Sequence, residues 1–96
     1  MFLVSEQDFK EMQENALKSF YSDFLGKLET DTLVDTDYES IRFYIVEIMK
    51  IVLLGQQEYL RFYSIVENIM LDRKKLMYFS TVHSKQEILD FVRNNN

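Results

Sequence analysis

The amino-acid sequence predicts an all-α fold, a compact bundle of four to five helices. The 96 residues contain no proline and only two glycines, Gly26 and Gly55, whereas sandwiches and barrels need many turn residues. Hydrophobic residues make up 47% of the chain, which is enough for a packed core. They recur at three- and four-residue steps, the spacing of one helix face. We therefore expect a single helical domain over residues 1–96.

The first predicted helix covers about residues 6–28. Ser5 is a good N-cap, and Asp8 places a carboxylate in the first turn, where the helix end is positive. An apolar stripe follows, formed by Phe9, Met12, Ala16, Phe20 and Phe24. We expect this helix to loosen at Gly26 and to lead into an acidic, threonine-rich linker over residues 29–36.

The second predicted helix covers about residues 37–54. Thr36 and Glu39 have the spacing of a capping box, and Gly55 is a natural left-handed stop after the helix. Between these points apolar residues occur on almost every side. We therefore expect this helix to be surrounded by other elements.

The remaining helices are predicted at about 57–71 and 85–93. Ser84 and Glu87 form a capping box that opens the last helix. Residues 72–83 are compatible with either a short helix or an apolar loop laid over the core.

Charge is distributed unevenly along the chain. The net charge is −5, with −7 in residues 1–40 and +2 in residues 41–96. The acidic half would repel nucleic acid, so nucleic acid is not the expected ligand. The apolar segments are too short or too charged for a signal peptide or a membrane span, so we expect a cytoplasmic protein without membrane contact.

The residue inventory argues against catalysis and against a bound cofactor. The chain has no cysteine, which excludes disulfides and thiolate metal sites. His83 is the sole histidine, no serine or cysteine motif surrounds it, and we interpret it as an exposed or half-packed residue. The two glycines are too far apart for a phosphate loop. We therefore expect a protein that is not an enzyme, with no catalytic, metal-binding or cofactor-binding residues.

Aromatic and acidic residues are the better functional indication. Eight phenylalanines and six tyrosines exceed what one small core needs, and tyrosine is enriched in protein interfaces. The tyrosines could equally close the rim of the core. An acidic cluster over residues 31–39 lacks the glycine of a calcium loop, so we read it as a solvated linker that could face a partner. The candidate partner-binding residues are Asp31, Asp35, Asp37, Glu39, Tyr21, Tyr59 and Tyr78.

The segment Met1–Leu28 also resembles the N-terminal helix of small bacterial helical proteins encoded beside type VI secretion spike components. The residues that carry the resemblance are Ala16, Leu17, Phe20 and Leu28, with a weaker match around Gly55, Tyr63 and Met70. The resemblance implies an accessory role as a chaperone, adaptor or immunity partner of a secreted effector or spike component. It implies no catalytic residues.

These observations favour a non-catalytic accessory protein that binds another protein, such as a secreted toxin-like effector, without a cofactor. A homodimer is a further option, because pairing of two copies would bury the apolar central helix. The rival hypothesis is a nucleic-acid-linked regulator. It would act either as an acidic mimic of DNA or as a small helical dimer that uses Arg73, Lys74 and Lys75.

Overall fold

Six α-helices form the architecture that the computed structural model describes. It covers the backbone of residues 4–95 and their side chains except those of residues 20–22. The helices are α1 (Glu6–Ala16), α2 (Ser22–Thr30), α3 (Asp35–Val52), α4 (Phe62–Met70), α5 (Arg73–Tyr78) and α6 (Lys85–Asn94). Within the described residues there is no strand, which confirms the all-α prediction, although the helices number six rather than four or five. The chain forms a compact body of 38 × 26 × 20 Å.

The first predicted helix is present but is not uniform. Ser5 caps it as predicted, because its hydroxyl accepts the backbone N–H of Asp8 at 3.1 Å. A π-helical segment, Leu17–Tyr21, separates α1 from α2, whereas the loosening expected at Gly26 is absent because that glycine lies inside α2. Neither proline nor glycine marks the π segment, so no local signal announces it.

The long helix α3 is the centre of the fold, but one of its sides is open. It begins at Asp35 rather than at residue 37. One face of the helix packs in the core. It carries the buried residues Ile41, Tyr44, Ile45, Ile48 and Met49. Phe43, on the opposite face, is 67% exposed. The expectation that α3 is surrounded on all sides is therefore wrong, and the apolar residues on its outer face are available to solvent.

The turn after α3 depends on Gly55. This residue has φ +78°, and the N–H of Gln56 closes the turn by donating to the carbonyl of Leu53 at 2.9 Å. The left-handed stop that the sequence predicts is thus confirmed. The helix predicted from residue 57 begins as a 3₁₀ turn, Gln57–Arg61, and becomes α-helical only at Phe62.

The C-terminal third of the chain closes the core. Residues 72–83, for which the sequence allowed a helix or a loop, contain the short helix α5. Asp72 caps the short helix α5 by accepting the N–H groups of Lys74 and Lys75. The capping box of Ser84 and Glu87 opens α6 as predicted. Buried residues from α4 to α6 share one core with those of α3, namely Ile65, Val66, Ile69, Met70, Leu76, Phe79, Ile88, Leu89 and Val92. None of the helices within residues 4–95 is long and apolar enough to cross a membrane.

Candidate protein-binding surfaces

The acidic connection between α2 and α3 is a short, well-ordered turn. Helix α2 extends to Thr30, so only residues 31–34 lie outside helices. Asp31 adopts φ +56°, its N–H donates to the carbonyl of Leu28, and the N–H of Thr32 donates to the carbonyl of Lys27 at 2.9 Å. This is the Schellman motif that ends many helices, with aspartate at the left-handed position where glycine is usual. Half of the predicted linker of residues 29–36 is therefore helical, because α2 ends at Thr30 and α3 begins at Asp35.

Asp37 is used by the fold and is not free for a partner. Its Oδ2 accepts the N–H of Val34 at 3.1 Å, and its Oδ1 accepts Lys27 Nζ at 3.1 Å. These contacts hold the pKa of the Asp37 carboxyl below its ordinary value, with the Val34 N–H as the larger cause and Lys27 next. Asp37 thus caps α3 and ties it to α2, the role that the sequence pattern assigned to Thr36 and Glu39. That assignment is wrong because the helix begins two residues earlier.

Three other acidic residues remain exposed around two exposed apolar side chains. Asp31, Asp35 and Glu39 are exposed, and none of the three forms an ion pair with a described side chain. Val34 and Tyr38 stand beside them, 56% and 39% exposed. Asp35 and Glu39 are four residues apart, as are Val34 and Tyr38, so each pair shares a face at the start of α3. We call these five residues the acidic corner.

A second exposed surface lies along α4 and was not predicted as a unit. Leu60 and Tyr63 are 88% and 84% exposed, and Leu71 at the end of α4 is 83% exposed. Tyr59, 44% exposed, stacks at a tilt on Phe62 with ring centroids 5.7 Å apart. An open hollow of about 360 Å³ lies between these aromatic residues and Lys50 of α3.

Phe43 belongs to the same surface. It is next to Arg42, which pairs with Glu67 of α4, and it is two helical turns from Lys50, which lines the hollow. We call Phe43, Tyr59, Leu60, Tyr63 and Leu71 the α4 ridge. The sequence singled out only Tyr59 here, because the change from 3₁₀ to α-helix at Phe62 sets which of the neighbouring side chains point outward.

Tyr78 is packed inside the chain on both ring faces. Its ring stacks on His83 and on Phe91, with centroid separations of 3.9 Å and interplanar angles of 3° and 4°. Burial, followed by the carboxylates of Glu87 and Asp90, raises the pKa of Tyr78. This residue therefore lies at the rim of the core, the alternative that the sequence left open. The side chain of Tyr21, a further candidate, lies outside the described residues.

His83 is held by internal hydrogen bonds. Its Nε2 lies 2.9 Å from the carbonyl oxygen of Tyr78 and 2.9 Å from Thr81 Oγ1, and its Nδ1 lies 3.8 Å from Glu87. Its side chain is 18% exposed. The ring thus fixes the segment before α6, which agrees with the half-packed role expected from the sequence.

Comparison with known proteins adds no functional assignment. No family model matches the chain, and neither the curated proteins nor the solved structures contain a significant match. Among the described residues no group of three or more histidine, aspartate or glutamate side chains is arranged to hold a metal ion. The acidic corner and the α4 ridge are therefore the surfaces from which a function can be argued.

Proposed function

We propose that this chain is a non-catalytic accessory protein that binds a basic surface of another protein through the acidic corner. The observation that carries the proposal is a group of exposed carboxylates, Asp31, Asp35 and Glu39, that form no ion pair with a described side chain. They lie near exposed Val34 and Tyr38. Apolar anchors surrounded by charged groups are the common arrangement of a protein interface, in which the charges steer association.

The support beneath the corner favours binding by a preformed surface. The Schellman motif fixes the backbone of Asp31, and the Lys27–Asp37 pair joins α2 to the first turn of α3. A surface held in this way loses little conformational entropy when a partner binds. The uneven charge also favours a basic partner. Residues 1–40 carry a net charge of −7, which would attract such a partner over about one Debye length, ~10 Å.

The specific form that we propose is an immunity protein, chaperone or adaptor for a secreted, toxin-like effector. It rests on the resemblance of the N-terminal segment to proteins encoded beside type VI secretion spike components. A basic effector surface would match the charge of the corner. The rival, a nucleic-acid-linked regulator, would use Arg73 and Lys74, which are exposed at the start of α5.

Site-specific photocrosslinking in the cells that produce the protein tests this proposal. A photoreactive phenylalanine analogue at Tyr38 should crosslink to one other protein in stoichiometric yield. The matched control is the same analogue at exposed Asn94, next to the Arg93–Glu58 pair at the far end of α3, where no crosslink to that protein is expected. Equal crosslinking at both positions, or crosslinks only to nucleic acid, would contradict the proposal.

A further inference from the structure

The α4 ridge exposes more apolar surface than a small monomer usually does. Its five side chains are between 44% and 88% exposed. Their exposed parts amount to roughly 700 Å² when a fully exposed large residue is taken as about 200 Å². The largest apolar patch of a typical soluble monomer is only about 300–600 Å². An exposed apolar surface of this size is expected to be covered by a partner.

We propose that the partner on the α4 ridge is a second copy of this chain. A stable dimer interface buries about 800 Å² on each partner, and the exposed side chains of the ridge can supply most of that area. This proposal concerns a surface separate from the acidic corner, so it goes beyond the proposed function and can fail independently of it.

The charges beside the ridge favour self-association. Arg42 pairs with Glu67, and Lys50 lies 3.4 Å from Glu47, so the ionised groups that flank the ridge on α3 and α4 cancel. Elsewhere two copies of a chain of net charge −5 would repel each other. The ridge is thus a neutral surface on an acidic molecule, where a second copy can approach at the smallest electrostatic cost. A strongly charged partner would gain nothing from it.

The spacing of the exposed residues also fits a two-fold arrangement. Tyr63, Glu67 and Leu71 follow one another at four-residue steps on α4, and Leu60 precedes Tyr63 by three residues, the spacing that packed helix pairs use. An interface between two identical copies is self-complementary. With the two-fold axis passing between Tyr63 and Glu67, the helices pair antiparallel, and Leu60 of each copy meets Leu71 of the other.

Sedimentation of the full chain over a range from micromolar to millimolar concentration tests the proposal. The apparent mass should rise from 11.6 kDa towards twice that value. Leu60→Glu and Leu71→Glu should each weaken dimerisation at least about tenfold, because each would bury an unpaired carboxylate at the interface. Both residues are more than 80% exposed, so at dilutions where the wild type is monomeric the helical circular dichroism and the thermal midpoint should not change.

Met77→Glu is the matched control, since Met77 is an exposed apolar residue of α5 outside the ridge. It adds the same charge and should leave dimerisation unchanged. A wild-type chain that stays monomeric throughout would overturn the proposal. So would a dimer that tolerates both ridge substitutions, or one that Met77→Glu weakens equally.

Disulfide trapping tests the antiparallel arrangement, which the absence of native cysteine makes straightforward. A mixture of the Leu60→Cys and Leu71→Cys variants should form the mixed disulfide faster than either variant pairs with itself. Faster pairing of Leu60→Cys with itself would contradict the antiparallel dimer.

Discussion

Gln13 of α1 and His83, the residue before the N-cap of α6, are joined by two hydrogen bonds. The side-chain Nε2 of Gln13 donates to the carbonyl of His83 at 2.7 Å, and the N–H of His83 donates to Oε1 of Gln13 at 3.1 Å. Gln13 is 1% exposed, the one polar residue among the buried side chains described. One amide therefore satisfies both backbone groups of a residue that is 70 positions away in the chain.

Replacement of Gln13 by leucine should destabilise the protein by about 1–3 kcal/mol, because two half-buried backbone groups would lose their partners. The measurement is the midpoint of urea unfolding, with the dependence of the unfolding free energy on urea concentration (the m-value) unchanged. Gln7→Leu is the matched control, since Gln7 lies on the same helix, is exposed and bonds only to Glu11. A cost below about 0.5 kcal/mol for Gln13→Leu, the usual range for a surface change, would show that this pair of hydrogen bonds is not structural.

Acid should weaken the link between α6 and the 3₁₀ turn. Arg93 donates through Nε to Oε1 of Glu58 at 2.6 Å and also contacts Gln56. This hydrogen bond is the main cause that lowers the pKa of the Glu58 carboxyl. Since the pKa is lower in the folded state than in the unfolded state, the stabilisation is complete above about pH 5 and declines as the pH falls below about 4.

Glu58→Gln should therefore be less stable than the wild type at pH 7 and should approach it in acid. Thermal midpoints measured from pH 7 down to pH 3 check this. Glu47→Gln is the control. It removes a carboxylate that pairs with Lys50 within the same helix, and its thermal midpoint should stay close to that of the wild type at every pH. A constant gap between Glu58→Gln and the wild type across the range would contradict the proposed linkage.

Local signals predicted the parts of this fold that local contacts determine. The caps at Ser5 and Ser84 and the turn at Gly55 are where the sequence placed them, because each depends on residues within a few positions. The start of α3 was misplaced because Thr36 and Glu39 match the capping-box pattern, whereas the cap actually used has Val34 at its first position and depends on Asp37 alone.

The remaining features depend on distant contacts. Gln13 lies on the apolar face of α1, four residues after Phe9, but no local signal names its partner, His83. The outward position of Leu60 and Tyr63 depends on the 3₁₀ turn, and the burial of Tyr78 depends on Phe91. In the candidate site, the sequence was enough to name Asp31, Asp35 and Glu39. It could not show that Asp37 is taken up by hydrogen bonds within the fold.

The left-handed conformation of Asp31 gives opposite expectations for glycine at two neighbouring acidic positions. Asp31→Gly should keep or raise stability, by up to about 1 kcal/mol, because φ +56° costs a non-glycine residue energy. Asp35→Gly, in the first turn of α3, should lower stability by about 0.5–1 kcal/mol. Urea unfolding of the two variants checks the sign, and destabilisation by Asp31→Gly would mean that its side chain holds the turn.

The most direct test of the acidic corner is the rate at which the partner captured at Tyr38 associates with purified protein. The test variant changes Asp31, Asp35 and Glu39 to lysine and leaves Asp37 in place, because Asp37 supports the fold. The control variant reverses three exposed acids on α1 and α6, Glu6, Glu11 and Asp90, and so changes the net charge equally.

Stopped-flow association at low and high salt then distinguishes a local surface from a general charge effect. The corner variant should associate at least about tenfold more slowly at low salt, and its rate should lose the salt dependence of the wild type. The control variant should stay closer to the wild type. If the corner variant associates as fast as the wild type, or if both variants slow equally, the acidic corner is not the binding surface.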